Sequence, residues 1–111
     1  RPWNDARADI ARARSSGCAV IFVGRANGAQ VAAVMVGDDG HRGWFYYLAV
    51  DPAHRKRGIG RALMAEAERL LRAAGCPKIN LQVRPDNKDV VGFYRRLGYE
   101  IEPLICMGKR L

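Results

Sequence analysis

The run Arg55-Lys56-Arg57-Gly58-Ile59-Gly60 sets three cationic side chains directly ahead of two glycines. It follows the apolar stretch Trp44–Val50 and opens a helix-patterned segment that starts Arg61-Ala62-Leu63-Met64. A strand, a basic glycine-bearing loop and a helix start together suit the holding of phosphate. The first amides of a helix lack intrahelical acceptors and carry the positive end of its dipole. Gly58 and Gly60 have no Cβ, so a ligand can approach the backbone and positive φ carries no steric cost. The chemistry read from Arg55 to Arg61 is the grip of a multiply anionic ligand.

The elements that must position this loop are legible in order. Asn4 or Asp5 can cap a first helix reaching about Arg14, with Ala6, Ile10 and Ala13 as its apolar stripe; Ser15-Ser16-Gly17 ends it. Cys18–Val23 reads as a buried strand, Asn27-Gly28 as a hairpin turn, and Gln30–Val36 as the returning strand. Asp38–Gly43 is a second turn. Trp44–Val50 does not alternate, so we expect a central strand covered on both faces, stopped by Asp51-Pro52. Gly60–Ala74 puts Leu63, Ala67, Leu70, Leu71 and Ala74 on one helical face, and Gly75 takes the C-cap role. Lys78–Val83 is a short strand. Asp86 or Asn87 caps a last helix carrying Val90, Val91, Phe93, Tyr94 and Leu97, closed by Gly98. Tyr99–Leu104 and Ile105–Leu111 are expected to form one or two closing strands, with Pro103 marking a break. The result is one mixed α and β domain spanning 1–111.

With 111 residues, 49% hydrophobic and 27% charged, the chain has the composition of one globular domain rather than of a disordered segment. No apolar run approaches the roughly 18 residues of a membrane span, and no secretory signal is visible, so we expect a cytoplasmic protein without a membrane partner. The three cysteines, Cys18, Cys76 and Cys106, are far apart and odd in number. Neither a disulfide framework nor a metal site is indicated, and each is expected to be a small buried hydrophobe in a reduced setting. The net charge of +8 raises nucleic acid as a partner. Arg55, Lys56, Arg57 and Arg61 gather around one loop, however, and Arg7, Arg12, Arg14, Arg69, Arg72, Arg95 and Arg96 fall on helix faces. An anionic small ligand plus a basic surface accounts for the excess.

Two phosphate motifs fail. A Walker loop needs Gly, four residues, then Gly-Lys-Ser/Thr, which is absent, and the dinucleotide fingerprint needs a third glycine after Gly58 and Gly60. What the chain resembles is the GNAT family, the GCN5-related N-acetyltransferases. Their acyl-CoA loop, Arg/Gln-x-x-Gly-x-Gly/Ala, is filled by Arg55, Gly58 and Gly60 after a strand ending Leu48-Ala49-Val50-Asp51-Pro52. Asn87 and Phe93-Tyr94-Arg95-Arg96-Leu97-Gly98-Tyr99 match the second signature at the expected separation. Asp39–Trp44, Gly75–Ile79 and Met107–Leu111 further resemble the bacterial YpeA-like branch. The resemblance implies an α/β (α+β) fold with a central mixed, mostly antiparallel sheet flanked by helices. The family's usual first strand and helix precede the elements seen here, so an N-terminal truncation is expected. That would leave the Cys18–Val23 strand as an edge that could support a homodimer.

The resemblance also implies roles. Acetyl-CoA would be the co-substrate, with its pyrophosphate on the amides from Arg55 to Arg61 and its pantetheine paired to the backbone of Leu48, Ala49 and Val50 like an added strand. Tyr94 matches the general acid that protonates the departing thiolate, a reading preferred to that of a packing tyrosine on the face of Val90 and Leu97. A phenol near pKa 10 and a thiol near 8.5 make full transfer mildly uphill, so partial donation is the realistic picture. Asn87 would bond the pantetheine, or serve only as an N-cap. Gln82 occupies the position where some relatives carry a glutamate base; an amide cannot accept the proton but could position a water. His41 is a candidate base as the residue type that titrates nearest neutrality, against the ordinary reading of a solvated loop histidine. Trp44, Tyr46 and Tyr47 could line the acceptor pocket, though aromatic strand residues are core by default. No metal is implied.

The function expected is therefore acetyl transfer from acetyl-CoA to a primary amine by direct attack in a ternary complex, with backbone N–H groups near Leu48–Val50 facing the oxyanion. A non-catalytic acyl-CoA sensor is the alternative, given Gln82. A nucleic-acid binder using the Gly60–Ala74 helix leaves the Trp44–Val50 strand and the glycines unexplained. Protein N-terminus, lysine, polyamine, amino acid and antibiotic all remain open as acceptors.

Overall fold

The computed structural model describes residues 5–111, so Asn4 lies outside the described residues. The chain runs α1 (Ala6–Ser16), β1 (Ala19–Ala26), β2 (Ala29–Asp38), β3 (Gly43–Val50), a 3-10 turn (Pro52–His54), α2 (Ile59–Ala73), β4 (Ile79–Leu81) and α3 (Lys88–Arg96). Asp5 is the cap of α1: its carboxylate accepts the Ala8 amide at 3.1 Å. Asn27 and Gly28 both take positive φ, 51° and 81°, the conformation a two-residue hairpin with right-twisted strands requires.

The four strands form one sheet in the order β1-β2-β3-β4. β1, β2 and β3 pair antiparallel, and β4 joins β3 parallel, with Gly43 opposite Ile79 and Phe45 opposite Leu81. A parallel neighbour needs a crossover, and α2 supplies it. Its buried residues Leu63, Met64, Ala67 and Leu71 cover the sheet face that carries Ala32, Val34, Val36 and Phe45, and Tyr94 of α3 completes this core. Val31 and Met35 are also buried, and by strand alternation they belong to the opposite face. α2 lies so close to the start of β3 that a Cβ on Gly43 would come within 2.6 Å of Leu71 Cδ1. The two later helices end alike. Gly75 and Gly98 take φ of 85° and 97°. The next amide, Cys76 or Tyr99, bonds back to Leu71 or Tyr94 at 3.0 Å.

Several expectations are corrected. The Trp44–Val50 run is central only along Gly43–Phe45; beyond it Tyr46 and Tyr47 are 44% and 53% exposed. Leu48 and Val50 still pack on the core beneath α2 while Tyr46 and Tyr47 stand out, so the unbroken apolar run does not signify burial on two sides. The fourth strand is Ile79–Leu81 rather than Lys78–Val83. No closing strand forms over Tyr99–Leu111. Pro103 has no N–H for a ladder, and around it the Leu104 amide turns back to the Glu102 carbonyl at 2.9 Å. Side chains tether this tail instead, Lys78 Nζ to Glu102 at 2.5 Å and Gln82 Nε2 to Cys106 Sγ at 2.7 Å. Cys18 and Cys106 are exposed and Cys76 half-buried, so none is the fully buried hydrophobe expected. Leu70 stands half out of the helix face assigned to it, while Met64, not assigned to it, is deeply buried.

Candidate active site

The strand that carries Leu48, Ala49 and Val50 departs from its neighbour because of a bulge. Ala33 faces Ala49 and Met35 faces Tyr46, so the single residue Val34 opposes both Tyr47 and Leu48. Tyr47 absorbs the extra residue with φ 54°. Its hydroxyl donates to the Asp9 carboxylate of α1, which Arg12 also holds at 2.6 Å. Those donors, Tyr47 first, keep the Asp9 carboxyl below its usual range, and the same bond raises the Tyr47 phenol. Pairing with β4 stops at Phe45, so the β3 edge from Tyr46 to Val50 has no strand beside it. The Asp51 amide bonds Val31 of β2 at 2.7 Å; by alternation, Val50 and Leu48 turn their polar groups to the open edge. The Val50 carbonyl does so, accepting Arg55 Nε at 3.3 Å.

From that edge the chain enters the basic loop. Lys56 and Gly58 take φ of 63° and 77°, which turns the backbone into α2. Gly58 is the N-cap residue, and no side chain caps the helix; its first turn holds no acidic residue. The amides at Ile59, Gly60 and Arg61 therefore face outward without intrahelical acceptors. A Cβ at Gly58 would meet nothing within 4 Å, so glycine is there for conformation and open approach. Gly60 lies between α3 and the end of β3: a Cβ there would make ordinary contact with Phe93 Cζ at 3.4 Å and Val50 Cγ2 at 3.6 Å. Outward amides and the exposed Arg55, Lys56 and Arg57, none of them ion-paired to a carboxylate among the described residues, are a donor set suited to a diphosphate. An acyl-CoA thus fits the residues present.

Next to Phe93 on α3, Tyr94 is 7% exposed. Its ring meets Phe93 and Tyr99 edge-on, with centroids 5.2 and 5.6 Å apart. Burial pushes its phenol up to about 12. Tyr99 in turn donates to Glu68 Oε2 at 2.6 Å, tying α3's end to α2, and its own phenol is raised by burial and that carboxylate. Asn87 is the N-cap of α3, its Oδ1 accepting the Val90 amide at 3.4 Å.

Tyr94, Gln82, Trp44 and His41 all border one cleft of about 1630 Å³, between β4, α3 and the C-terminal tail. Tyr46, Asn87, Leu48–Val50 and the Arg55–Arg61 loop do not border it. The two regions meet through α3, where Phe93 abuts Gly60 and Tyr94 faces the cleft. Sequence reasoning missed the organiser of the cleft's far wall. Asp39 accepts the Arg42 amide at 2.7 Å, the His41 amide at 2.8 Å and the Trp44 indole at 3.2 Å. These bonds, Arg42's first, hold its carboxyl below the usual range. The signal available was an Asp opening a glycine turn, the residue type that bonds backbone two residues on. Trp44 stacks on Tyr46 at 6.3 Å, and the Tyr46 phenol is raised by burial and by Asp39. His41 is exposed in that turn. Gln82 spends its amide N–H on Cys106. Among the described residues, no group of His, Cys, Asp or Glu could hold a metal ion, and no helix is long and apolar enough to cross a membrane.

Comparison with known proteins shows the family and the fold. Residues 1–99 match the model of the acetyltransferase (GNAT) family. A Yersinia pestis protein named acetyltransferase is 48% identical over 111 residues, the whole of this chain and 79% of its own length. An acetyltransferase of Yersinia enterocolitica shows the same identity and coverage. Among solved structures, AAC(6')-Iy in complex with a CoA-containing bisubstrate analogue superposes with a TM-score of 0.83 at 21% identity, covering 99% of this chain and 84% of its own. The aminoglycoside 6'-N-acetyltransferase AAC(6')-IG of Acinetobacter haemolyticus superposes with a TM-score of 0.79 at 20% identity, covering 98% and 85%. At such identities the structures speak for the fold, and the closer relatives for the family. The chain belongs to the acetyltransferase (GNAT) family, acyltransferases that draw their acetyl group from acetyl-CoA.

Proposed function

We propose that this protein transfers acetyl from acetyl-CoA to a primary amine by direct attack in a ternary complex. The observation that carries the reading is the juxtaposition of an uncapped, acid-free start of α2 with the unpaired edge of β3. The loop from Arg55 to Arg61 holds the diphosphate. The open edge at Leu48–Val50 pairs the pantetheine arm and supplies N–H to the thioester oxygen, and Asn87 lies at the start of the helix beyond it. Tyr94 bonds the departing sulfur. With a phenol near 12 against a thiol near 8.5, complete proton transfer is uphill by about 5 kcal/mol, so Tyr94 acts as a hydrogen-bond donor to developing thiolate.

The acceptor side is the cleft beside β4, where Gln82, Trp44 and His41 stand, with Tyr46 stacked behind Trp44. Gln82 cannot take a proton, so the amine loses its own to water before attack. Within the family we place the chain beside the YpeA-like branch, on Asp39–Trp44, Gly75–Ile79 and Met107–Leu111. We take residues 1–111 to act as one domain, working in the cytoplasm, with the β1 edge as the contact of a homodimer.

The test is CoA release with a panel of primary amines. Tyr94→Phe is expected to lower kcat by about 10²-fold while acetyl-CoA still protects the variant from melting. Unchanged turnover would remove Tyr94 from the chemistry. Failure of acetyl-CoA to raise the melting temperature of the unaltered protein would remove the binding site itself.

A further inference from the structure

One polar atom of the loop's entry turn is out of place. Among the described residues, the buried side-chain nitrogen or oxygen without a hydrogen-bond partner is His54 Nδ1. Buried polar atoms in folded proteins are nearly always partnered, so this one calls for an explanation. The turn brings it where it is. Asp51 Oδ1 accepts the Ala53 amide at 3.2 Å, the Asp51 carbonyl accepts the His54 amide at 2.8 Å, and the Arg55 amide reaches Pro52 O at 3.5 Å. The turn brings the imidazole beside Asp51, the residue that follows β3. Nδ1 stops 3.4 Å from the other carboxylate oxygen, Asp51 Oδ2, too poorly aligned for a hydrogen bond, and three quarters of the His54 side chain is covered.

A bare nitrogen lone pair facing a carboxylate at that distance is repulsive. A proton on Nδ1 turns the same approach into an attraction that a small ring rotation completes. We propose that His54 is a positioning residue for the acyl-CoA loop: its Nδ1–H clamps the Asp51 carboxylate and thereby fixes the turn from which Arg55 and Gly58 start. The consequence reaches the ligand through two steps already described. Arg55 leaves that turn to bond the Val50 carbonyl on the open edge of β3. Three residues after Arg55, Gly58 is the N-cap of α2, whose first amides face outward. A loosened turn lets both drift, and the loop loses preorganisation rather than any contact of its own. Among the described residues, no other ionisable side chain is bonded to this pair.

The inference rests on the acyl-CoA reading of the loop, and geometry separates the two in one experiment. An Asn side chain puts its amide nitrogen near the place of Nδ1; a Gln or Phe side chain does not. In isothermal titration with CoA and in steady-state assays, His54→Phe and His54→Gln are expected to weaken CoA binding and raise the acetyl-CoA KM by about tenfold, with kcat nearly unchanged. His54→Asn is expected to restore most of that loss. A melting curve for each variant confirms that it folds, and a His54→Phe variant that does not fold leaves the Asn-against-Gln comparison to decide. If all the folded variants bind CoA like the unaltered protein, or if Asn is as defective as Gln, the clamp is overturned and the acyl-CoA loop stands. If the unaltered protein itself fails to bind CoA, the loop's function falls and the clamp's role with it.

Discussion

Burial gives Tyr94 a hydroxyl that keeps its proton far into the alkaline range, and the pH dependence of turnover follows from that. Its phenol is raised to about 12 because the surrounding core disfavours the charged phenolate. The donor form is the neutral one, so raising pH removes it only near that value. The acceptor behaves in the opposite sense. An alkylammonium near 10.4 is about 1 part in 10³ neutral at pH 7, and each pH unit up multiplies the attacking form about tenfold. With Gln82 unable to accept a proton, nothing in the cleft's strand substitutes for that deprotonation. The expected profile of kcat/KM for the amine is therefore a steady climb from pH 7 to pH 10 without a descending limb. A limb falling below pH 10 in unaltered protein, absent in Tyr94→Phe, would show that Tyr94 titrates lower than its burial dictates.

At the scale of the elements, two glycines test different physics. Gly43 begins β3 under α2, and its missing Cβ is space that Leu71 already occupies, at 2.6 Å. Gly43→Ala must displace the Leu71 side chain, which is 2% exposed, and we expect it to cost about 1–3 kcal/mol in urea unfolding. Gly58 has open space around it but φ of 77°. Gly58→Ala should therefore cost about 1–2 kcal/mol from backbone conformation alone, and should weaken CoA binding as the start of α2 relaxes. Much of this arrangement was legible beforehand, because it depends on local rules: the Asn27-Gly28 hairpin, the Gly75 and Gly98 helix ends, the Asn87 cap and the basic loop are each written in a few adjacent residues. What was not legible depends on partners far along the chain. The broken alternation of Trp44–Val50 reads as burial, yet it is the imprint of a bulge at Tyr47, whose hydroxyl is held by Asp9 on α1. Tyr99–Leu111 reads as one or two closing strands broken at Pro103, but the tail forms no ladder and is tethered beside β4 by side chains alone, Lys78 to Glu102 and Gln82 to Cys106. Asp39 reads as a turn residue and turns out to carry the Trp44 indole as well.

Over the whole molecule, the charge of +8 is unevenly answered by carboxylates. Arg12 is paired with Asp9, Arg69 with Glu66 and Lys78 with Glu102. Arg55, Lys56, Arg57 and Arg61 have no carboxylate partner among the described residues, and α2 adds the positive end of its dipole at the same place. An anionic co-substrate is therefore drawn toward the loop from a distance, over a range set by the Debye length of about 10 Å at 0.1 M salt. Such steering acts on encounter far more than on residence. Stopped-flow measurements of CoA binding are expected to show an association rate falling about tenfold between low salt and 0.5 M, with a much smaller change in dissociation. Reversing one loop cation, as in Lys56→Glu, should flatten that salt dependence, whereas reversing Arg69 on the far end of α2 should leave it nearly intact. Equal flattening by both variants would mean that the net charge alone draws the ligand in, and that the concentration of cations at Arg55–Arg61 has no special part in its capture.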